Sequence, residues 1–459
     1  MEEWVKNRKE ILQGRPISIS LRQVAIDLIN TAIESSQPDL AVKENVSLNK
    51  DNLMFGGISI DLSKIRNLYV VGFGKASYTM ARSIEEILNK RITEGIVSTK
   101  FGYGGKLKKI EVIEAGHPIP SVEGLKAARK IVEIANRATK DDLIILLVSG
   151  GGSALTPLPS DAISLLDKQK TSDLLLSSGA NIEEINAVRK HISMIKGGRF
   201  AGMAYPARVV SLIISDVVGD RLDTISSGPS VPDNTTFEDA FRVLKKYNIM
   251  DDIPSTVISH IKKGMKGNIP ETPKEGSNYF SRVSNIILIN NMSALKSIEK
   301  EAKSRGFNTL ILSSEIEGES IEVGKVMAGI AREVAKSDLP IQKPAVIISG
   351  GETTVTLDHS GGMGGPNQEC AVGFAMMSPT DFDIVFASID SDGTDGPTDY
   401  AGGIVDSSSR KIWINKNIDL DKLIKDHNTS SILKSSHDIV VTGPTGTNVN
   451  DIRIIIVSR

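Results

Sequence analysis

Short apolar runs, many bounded by glycine, alternate with segments of helical periodicity, and this pattern most constrains the fold of the chain. Five runs predict strands: LYVVGFG (68–74), GIVSTK (95–100), IEVIEAG (110–116), LIILLVSG (143–150) and ARVVSLIISD (207–216). Segments 75–90 and 121–138 place apolar residues at helical spacing between them. Continuous apolar strands that alternate with helices are buried on both faces. The pattern therefore predicts an α/β fold whose first half is a doubly wound, mostly parallel, three-layer sandwich.

A second series of strand candidates begins near residue 285. It comprises NIILINN (285–291), NTLILSS (308–314), PAVIISGGE (344–352), DIVFASIDSDG (383–393), DIVVTGPTG (438–446) and IRIIIV (452–457). A polar stretch rich in proline and glycine, 262–280, precedes it. We therefore expect a Rossmann-like α/β domain over 1–240 and a second α/β domain over 241–459. The helical pattern at 20–36 precedes every strand and could pack on either domain.

Composition excludes several classes of protein. The formal net charge is −2 with no block of like charges, so a nucleic-acid partner is not expected. The single cysteine, Cys370, allows no intramolecular disulfide, and six scattered histidines do not suggest a zinc cluster. The first ten residues are charged rather than apolar, and no apolar run approaches the ~20 residues that span a bilayer. We expect a cytoplasmic protein without membrane contact, and leave a homodimer open.

The turn SGGGS after the fourth predicted strand is a candidate anion site. It consists of Ser149, Gly150, Gly151, Gly152 and Ser153. Its glycines let backbone N–H groups converge, a following helix would add its positive end, and both hydroxyls can donate. A tight strand-to-helix connection without a ligand is the alternative. The turn is not a nucleophile elbow, because G-x-S-x-G requires glycine where Leu155 stands.

The segment GFGKAS (72–77) is similar to a dinucleotide-binding fingerprint but departs from it. Gly72 and Gly74 fit the pattern, whereas Ser77 occupies the third glycine position. The next predicted strand ends in VSTK, without the acid that would bind a ribose, which disfavours NAD. Lys75 lies where a helix begins, and we predict that it faces an anion; a solvated first-turn lysine is the alternative.

A basic segment at 185–201 is the next candidate for anion binding. It carries Arg189, Lys190, His191, Lys196 and Arg199 around a Gly-Gly break. This set suits phosphates, and a solvated helix face is the alternative. We expect His191 to be structural rather than catalytic.

Aspartates supply the remaining chemistry. The loop DSDGTDGPTDYAGG (390–403) contains Asp392 among four aspartates, and Asp216 follows the fifth predicted strand. Such carboxylates could hold Mg²⁺ or accept a hydroxyl proton, or simply form Asx-turns in a long loop. Anion sites, cations and carboxylates together fit phosphoryl transfer, whose catalysis is mainly positioning and charge neutralisation.

Eight motifs occur in a recognisable order from about residue 20 onward. They are VVGFGKAS, LLVSGGGSAL, INAVRKHISMIKGGRFA, SDVVGDRLDTISSGPSVPD, ISGGETTVTL, GGPNQECAV, ASIDSDGTDGPTDYAGGIVD and TGPTGTNVND. Together they resemble the glycerate 2-kinase family, whose carboxyl-terminal region is called the MOFRL domain. The resemblance implies ATP- and Mg²⁺-dependent phosphorylation of the 2-hydroxyl of D-glycerate, with the active site in a cleft between two α/β domains. The family lysine falls on Lys75, whereas Pro366 stands where some members carry an arginine.

These interpretations define the expected site. We expect Lys75, Asp216 and Asp392 to be catalytic, with Asp216 or Asp392 holding Mg²⁺ or accepting the hydroxyl proton. The turn 149–153 would bind phosphate or substrate together with Arg189, Lys196 and Arg199. The nucleotide would contact Gly72, Gly74, Gly350, Gly351, Glu352 and Asn448. An NAD(P)H-dependent hydroxypyruvate reductase and a non-catalytic nucleotide- or anion-binding protein are the alternatives.

Overall fold

The structure is a computed structural model that describes residues 3–15, 19–357 and 362–458. Its helices are α1 (Arg8–Leu12), α2 (Ile19–Ser35), α3 (Pro38–Asn45), α4 (Ser77–Leu88), α5 (Val122–Arg137), α6 (Gly152–Leu155), α7 (Leu165–Ser177), α8 (Ile182–His191), α9 (Arg199–Ala204), α10 (Phe237–Lys246), α11 (Ser255–Met265), α12 (Asn291–Ser304), α13 (Ser320–Ser337), α14 (Pro366–Met377), α15 (Ser409–Asn415), α16 (Leu420–Lys425) and α17 (Thr429–Ser435). Within the described ranges, none of the helices has the length and apolar composition that crossing a membrane requires.

The strands complete the element order. They are β1 (Val46–Asn49), β2 (Asn52–Phe55), β3 (Ile58–Asp61), β4 (Leu68–Phe73), β5 (Glu94–Lys100), β6 (Ile110–Ala115), β7 (Leu143–Val148), β8 (Arg208–Ile214), β9 (Val283–Ile289), β10 (Asn308–Ile316), β11 (Ala345–Gly351), β12 (Ile384–Asp390), β13 (Gly402–Asp406), β14 (Ile439–Val440) and β15 (Asp451–Val457). Backbone contacts divide the chain into two compact units. The central unit is Pro38–Leu288, and the terminal unit comprises the chain up to Gln37 and from Ile289 onward. Each unit is described by itself.

The main sheet of the central unit has the strand order β6-β5-β4-β7-β8-β9. The pairs β5–β6, β4–β5, β4–β7 and β7–β8 are all parallel. The chain enters at β4 in the middle, moves outward through β5 and β6, and returns to β7 on the other side. Every residue of β4 and β7 is buried, as in parallel strands covered on both faces. The predicted doubly wound, mostly parallel sheet is confirmed. A separate antiparallel sheet, β1-β2-β3, was not predicted.

The terminal unit has a mixed six-stranded sheet of order β10-β11-β15-β12-β13-β14. The pair β10–β11 is parallel, and the remaining neighbours are antiparallel. A loop rather than a helix joins β12 to β13, which permits an antiparallel pair. Phe374 of α14 and Phe386 of β12 stack with ring centroids 4.3 Å apart in the core beside this sheet. Both units therefore contain helices and a six-stranded sheet, but the first sheet is mostly parallel and the second is mostly antiparallel.

The division of the chain differs from the expected boundary after residue 240. Helices α10 and α11 belong to the central unit, where α10 packs on α8. Strand β9, which we expected to begin the second series, lies beside β8 in the first sheet. Helix α2 belongs to the terminal unit and packs on α12 and β12. The boundary was expected too early because β9, the last strand of the first sheet, is separated from β8 in the sequence by helices α10 and α11.

Two buried arginines attach the amino-terminal segment to the terminal unit. Arg22 of α2 donates to Asp406 at 2.6 Å and to Asp438 at 2.6 Å. Arg15 contacts the same two carboxylates at 3.1 and 2.8 Å. All four side chains are almost fully buried. Buried charges are tolerated when each is paired and hydrogen-bonded, so this network specifies where α2 packs.

Candidate functional site

The carboxyl ends of β4 and β7 lie side by side at the centre of the main sheet. Phe73 and Val148 are partners in the register of these two parallel strands. The chain leaves β4 towards β5 and leaves β7 towards β8, so the strand order reverses here. Crevices at such reversal points are where open α/β sheets bind ligands. The motifs GFGKAS and SGGGS are therefore brought together at one sheet edge.

Glycine is required at two positions of GFGKAS because β7 approaches closely. A Cβ on Gly72 would lie 2.7 Å from Leu147 Cβ. Gly74 has φ +131°, and its Cβ would lie 2.1 Å from Ser149 Oγ. These glycines have a packing role, and their predicted nucleotide contacts stay a prediction. The backbone N–H of Lys75 donates to Gly150 O at 2.9 Å, which ties the two motifs to each other.

The SGGGS turn is tightly packed against the loop that follows β8. A Cβ on Gly150 would lie 1.8 Å from Asp216 Oδ2, and one on Gly152 would lie 2.3 Å from Ser226 Oγ. Ser226 also donates its hydroxyl to Ser149 O at 2.9 Å. Gly151 has φ +79° at the start of α6. The helix expected after the turn is only the four-residue α6, so its dipole adds little and nearby cations must supply most of any attraction for an anion.

A cavity of ≈330 Å³ opens beside this turn. Its wall includes Gly151, Ser153, Lys168, Arg189, Lys196 and Asp216. The volume lies in the range of small-ligand pockets. Five of these residues were predicted from the sequence, and Lys168 was not. Lys75 Cγ lies 3.4 Å from where a Cβ on Gly151 would be, so the side chain of Lys75 begins beside the same turn.

The cations of the cavity wall are buried with few compensating groups. Lys196 Nζ donates to Gly152 O at 3.2 Å and lies 5.1 Å from the centre of the Phe73 ring. Burial, followed by Lys168 and Arg189, lowers the pKa of Lys196 well below its usual value. Burial also lowers the pKa of Arg189. A bound anion would reverse these shifts, so the wall is electrostatically suited to a negatively charged ligand.

The other basic residues of 185–201 have structural partners. Lys190 Nζ is 3.2 Å from the buried carboxylate of Asp233. His191 lies 2.9 Å from Glu271 through Nε2. Arg199 donates to Pro270 O at 3.3 Å and is not among the residues that line the cavity. The structure therefore separates this motif into a cavity-facing pair, Arg189 and Lys196, and a set engaged elsewhere.

His117 is a second residue of the cavity wall that sequence reasoning missed. A Cβ on Gly151 would lie 2.7 Å from its ring. Burial, followed by Lys75 and Lys100, lowers the pKa of His117 to about 4. No motif marks His117 in the sequence, because it follows β6 in a loop whose position in space depends on the sheet order.

We predict that His117 makes the protein less stable in mild acid. The unfolded chain takes up a proton at about pH 6.5, whereas the folded imidazole stays neutral down to about 4. The unfolded state binds more protons in this window, so the free energy of unfolding falls as the pH drops through it. His117→Asn should flatten the dependence of Tm on pH there, and His437→Asn, at an exposed position, should not. Equal slopes for His117→Asn and the wild type would contradict the prediction.

The predicted nucleotide contacts of the terminal unit follow β11 and precede β15. A Cβ on Gly350 would lie 1.8 Å from Asn291 Oδ1, and Gly351 has φ +124° beside Ile316 O. Glu352 is exposed and donates its N–H to Ile316 O at 3.0 Å. Asn448 Oδ1 accepts the N–H of residue 450 at 2.9 Å. Both glycines are thus explained by packing, and nucleotide binding by this group stays a prediction.

The acidic loop of the terminal unit is held by internal hydrogen bonds. Asp392 Oδ1 accepts from the N–H and hydroxyl of Thr394 at 2.9 and 2.7 Å. These bonds have the pattern of Asx-turns. Burial, followed by Asp392 and Asp451, raises the pKa of Asp390 well above its usual value. A catalytic or metal-binding role for Asp392 therefore stays a prediction.

The motif GGPNQE has a structural role that the sequence did not indicate. Asp395 accepts the backbone N–H groups of Asn367 and Gln368 at 2.9 Å each, at the amino-terminal end of α14. Both side-chain amides donate to the same carboxylate. Pro366 is the first residue of α14, where its missing N–H costs nothing. This helix end is already occupied by a carboxylate of the chain.

Among the described residues, no group of three or more His, Cys, Asp or Glu side chains could hold a metal ion. Mg²⁺ does not require such a group, because it is usually bound by one or two carboxylates, by waters and by substrate phosphates. Asp216 supplies one carboxylate at the cavity wall. This donor set fits a magnesium ion that arrives with a phosphate ligand.

Two regions of the chain match known family models. Residues 24–262 match a domain of unknown function, DUF4147, and residues 345–451 match the MOFRL family. A glycerate 2-kinase of Pyrococcus horikoshii is 44% identical over 96% of this chain and 98% of its own length. A D-glycerate 2-kinase of Thermotoga maritima is 41% identical over 95% of this chain and 98% of its own.

Solved structures give the same result. A crystal structure of a P. horikoshii protein has a TM-score of 0.84 at 44% identity, covering 95% of this chain and 98% of that one. The crystal structure of glycerate kinase from T. maritima has a TM-score of 0.84 at 40% identity, covering 95% and 99%. These matches extend over nearly the whole chain, as the motif order predicted. The protein therefore belongs to the glycerate 2-kinase family.

Proposed function

We propose that this protein transfers the γ-phosphoryl group of ATP to the 2-hydroxyl of D-glycerate, giving 2-phosphoglycerate and ADP. One observation supports this most: a glycine-rich turn lines one cavity at the reversal point of the main sheet together with buried cations that have no acidic partner among the described residues. Phosphoryl transfer needs this combination, because the protein must position two anionic reactants and neutralise the charge between them.

The proposed roles follow from the cavity wall and from Lys75, which lies beside Gly151. Ser153, Lys196 and Lys75 bind the phosphoryl group during its transfer, with the N–H groups of the glycine turn. Arg189 binds an anionic group of the substrate, the role left open where Pro366 replaces the family arginine. The 2-hydroxyl oxygen attacks the γ-phosphorus, the bond to the β–γ bridging oxygen breaks, and its electron pair leaves with ADP.

Asp216 is the proposed acceptor of the 2-hydroxyl proton or the proposed magnesium ligand. Its carboxylate lies against Gly150, next to the turn that would hold the phosphoryl group. Mg²⁺ bound with ATP supplies neutralisation of the phosphate charge. In either role, a negative charge at this position is required.

A coupled assay tests the activity and its regiochemistry. The protein is incubated with ATP, Mg²⁺ and D-glycerate, and enolase is added without phosphoglycerate mutase. Enolase consumes 2-phosphoglycerate directly, so absorbance of the enol product should rise at once. Absorbance that rises only after mutase is added would mean 3-phosphoglycerate and would contradict the proposal. Oxidation of NAD(P)H with hydroxypyruvate would instead favour the reductase.

A further inference from the structure

Lys168 is a buried cation on a helix to which the sequence analysis gave no function. It lies in α7 and is 4% exposed, whereas Leu166 and Leu176 of the same helix are 76% and 58% exposed. Leu175 of this helix is buried as well, so the inward face carries a lysine beside a leucine while two other leucines stay exposed. Hydrophobic burial alone would not select a lysine for that face. Some other requirement must hold Lys168 inside.

No acidic group in the described part of the chain pairs with the ammonium group of Lys168. Among residues 3–15, 19–357 and 362–458, no salt bridge or side-chain hydrogen bond engages its ammonium group. Burial, followed by Arg189, lowers the pKa of Lys168 to about 7. Lys190 shows what a structural lysine looks like in this unit, because it is equally buried but pairs with Asp233 at 3.2 Å.

Lys168 belongs to the wall of the cavity beside the glycine turn. Lys168, Arg189 and Lys196 come from three different segments of the chain and line the same cavity. Lys196 is affected electrostatically by both of the others. A buried charge without a partner destabilises a protein, and such costs are retained mainly where function needs them. An anion supplied by a bound ligand would be the missing partner.

We propose that Lys168 binds an oxyanion of the ligand, a carboxylate or a phosphate, together with Arg189 and Lys196. The three cations form a wall that is completed by a ligand with at least one oxyanion group. Under the proposed function this ligand is D-glycerate or ATP, and only the identity of the ligand rests on that function. Lys168 is then a substrate-binding residue that no sequence motif marks.

The test compares Lys168→Met with Lys190→Met. Methionine keeps the length and removes the charge. Tm is measured without ligand, and dissociation constants are measured by calorimetry for inorganic phosphate, ATP and D-glycerate separately. We expect Lys168→Met to raise the Tm, because an unpaired buried charge is lost, and to weaken at least one probe about tenfold. Lys190→Met should lower the Tm, because Asp233 loses its partner.

The three probes identify the oxyanion. Loss of affinity for D-glycerate alone assigns Lys168 to the carboxylate, and loss for ATP or inorganic phosphate assigns it to a phosphate. Unchanged dissociation constants for all three would overturn the proposal, whatever the Tm. If Lys168→Met does not fold, Lys168→Gln is measured in the same way. If Lys168→Met lowers both the affinity and the Tm, the affinity of Lys168→Arg is measured as well. Affinity restored by arginine supports the proposal, and affinity that is not restored overturns it.

Failure of this inference is separable from failure of the proposed function. A wild-type protein that binds phosphate through Lys168 but makes no 2-phosphoglycerate contradicts the proposed function alone. A wild-type protein that makes 2-phosphoglycerate, while Lys168→Met binds every probe normally, contradicts this inference alone.

Discussion

Asp216→Asn should lower kcat by about 10²–10⁴-fold while the protein stays folded. The carboxylate follows β8, lies against Gly150 and belongs to the cavity wall. Asparagine has the same size, so the tight packing against the glycine turn is kept. It can neither accept a proton nor contribute the negative charge that Mg²⁺ or an attacking hydroxyl needs. The effect should therefore appear in catalysis rather than in stability.

The measurement is steady-state release of ADP at several Mg²⁺ concentrations and pH values. A lost magnesium ligand should raise the Mg²⁺ concentration that gives half-maximal rate. A lost proton acceptor should instead remove the acidic limb of the pH–rate profile. Asp161→Asn is the control, because Asp161 is exposed in the same unit and does not line the cavity. A kcat within about threefold of the wild type for Asp216→Asn would remove Asp216 from the mechanism.

Arg22→Met should have the largest effect on stability, lowering the free energy of unfolding by about 3–5 kcal/mol. Arg22 is completely buried and donates to both Asp406 and Asp438 at 2.6 Å. Its removal leaves more negative than positive charge in a fully buried site, since Arg15 alone would face two carboxylates. Helix α2 would lose its main polar attachment to the terminal unit.

Chemical denaturation, followed by a probe in the terminal unit, measures this effect. Arg8→Met is the matched control, because Arg8 pairs with Glu3 and Asp27 at 3.4 and 3.0 Å in a partly exposed position. Exposed pairs contribute only about 0–1 kcal/mol. If Arg22→Met cost no more than Arg8→Met, the buried network would not be what fixes the amino-terminal segment.

The sheet of the central unit could be predicted because each of its central strands is a short apolar run that is recognisable in the sequence by itself. β4 and β7 are apolar at every position, and helical periodicity between the strands implies parallel crossovers. β9 was assigned to the wrong half because nothing local shows that a strand after two helices returns to the first sheet. The mixture of parallel and antiparallel strands in the terminal sheet could not be predicted from the sequence either, since strand direction depends on the connections between strands rather than on their composition.

The residues of the candidate site that the sequence indicates are those marked by glycine, whereas residues that meet only in space were missed. The glycines of SGGGS and GFGKAS are needed because two strands and a loop approach within contact distance, and this requirement is visible in the sequence. Lys168 lies on a helix with leucines on both its buried and its exposed faces, Leu175 on the first and Leu166 on the second, so the sequence does not show that the lysine is buried. His117 depends on the position of β6 in the sheet. Neither residue could be found without the fold.

The most direct test of the proposed phosphoryl transfer is a ³¹P NMR spectrum of the wild-type protein with ATP, Mg²⁺ and D-glycerate, recorded beside Lys75→Met. We predict that resonances of ADP and 2-phosphoglycerate grow together for the wild type, and that the rate is at least about 10²-fold lower for Lys75→Met. A resonance of 3-phosphoglycerate, or ATP that stays intact while glycerate is present, would contradict it.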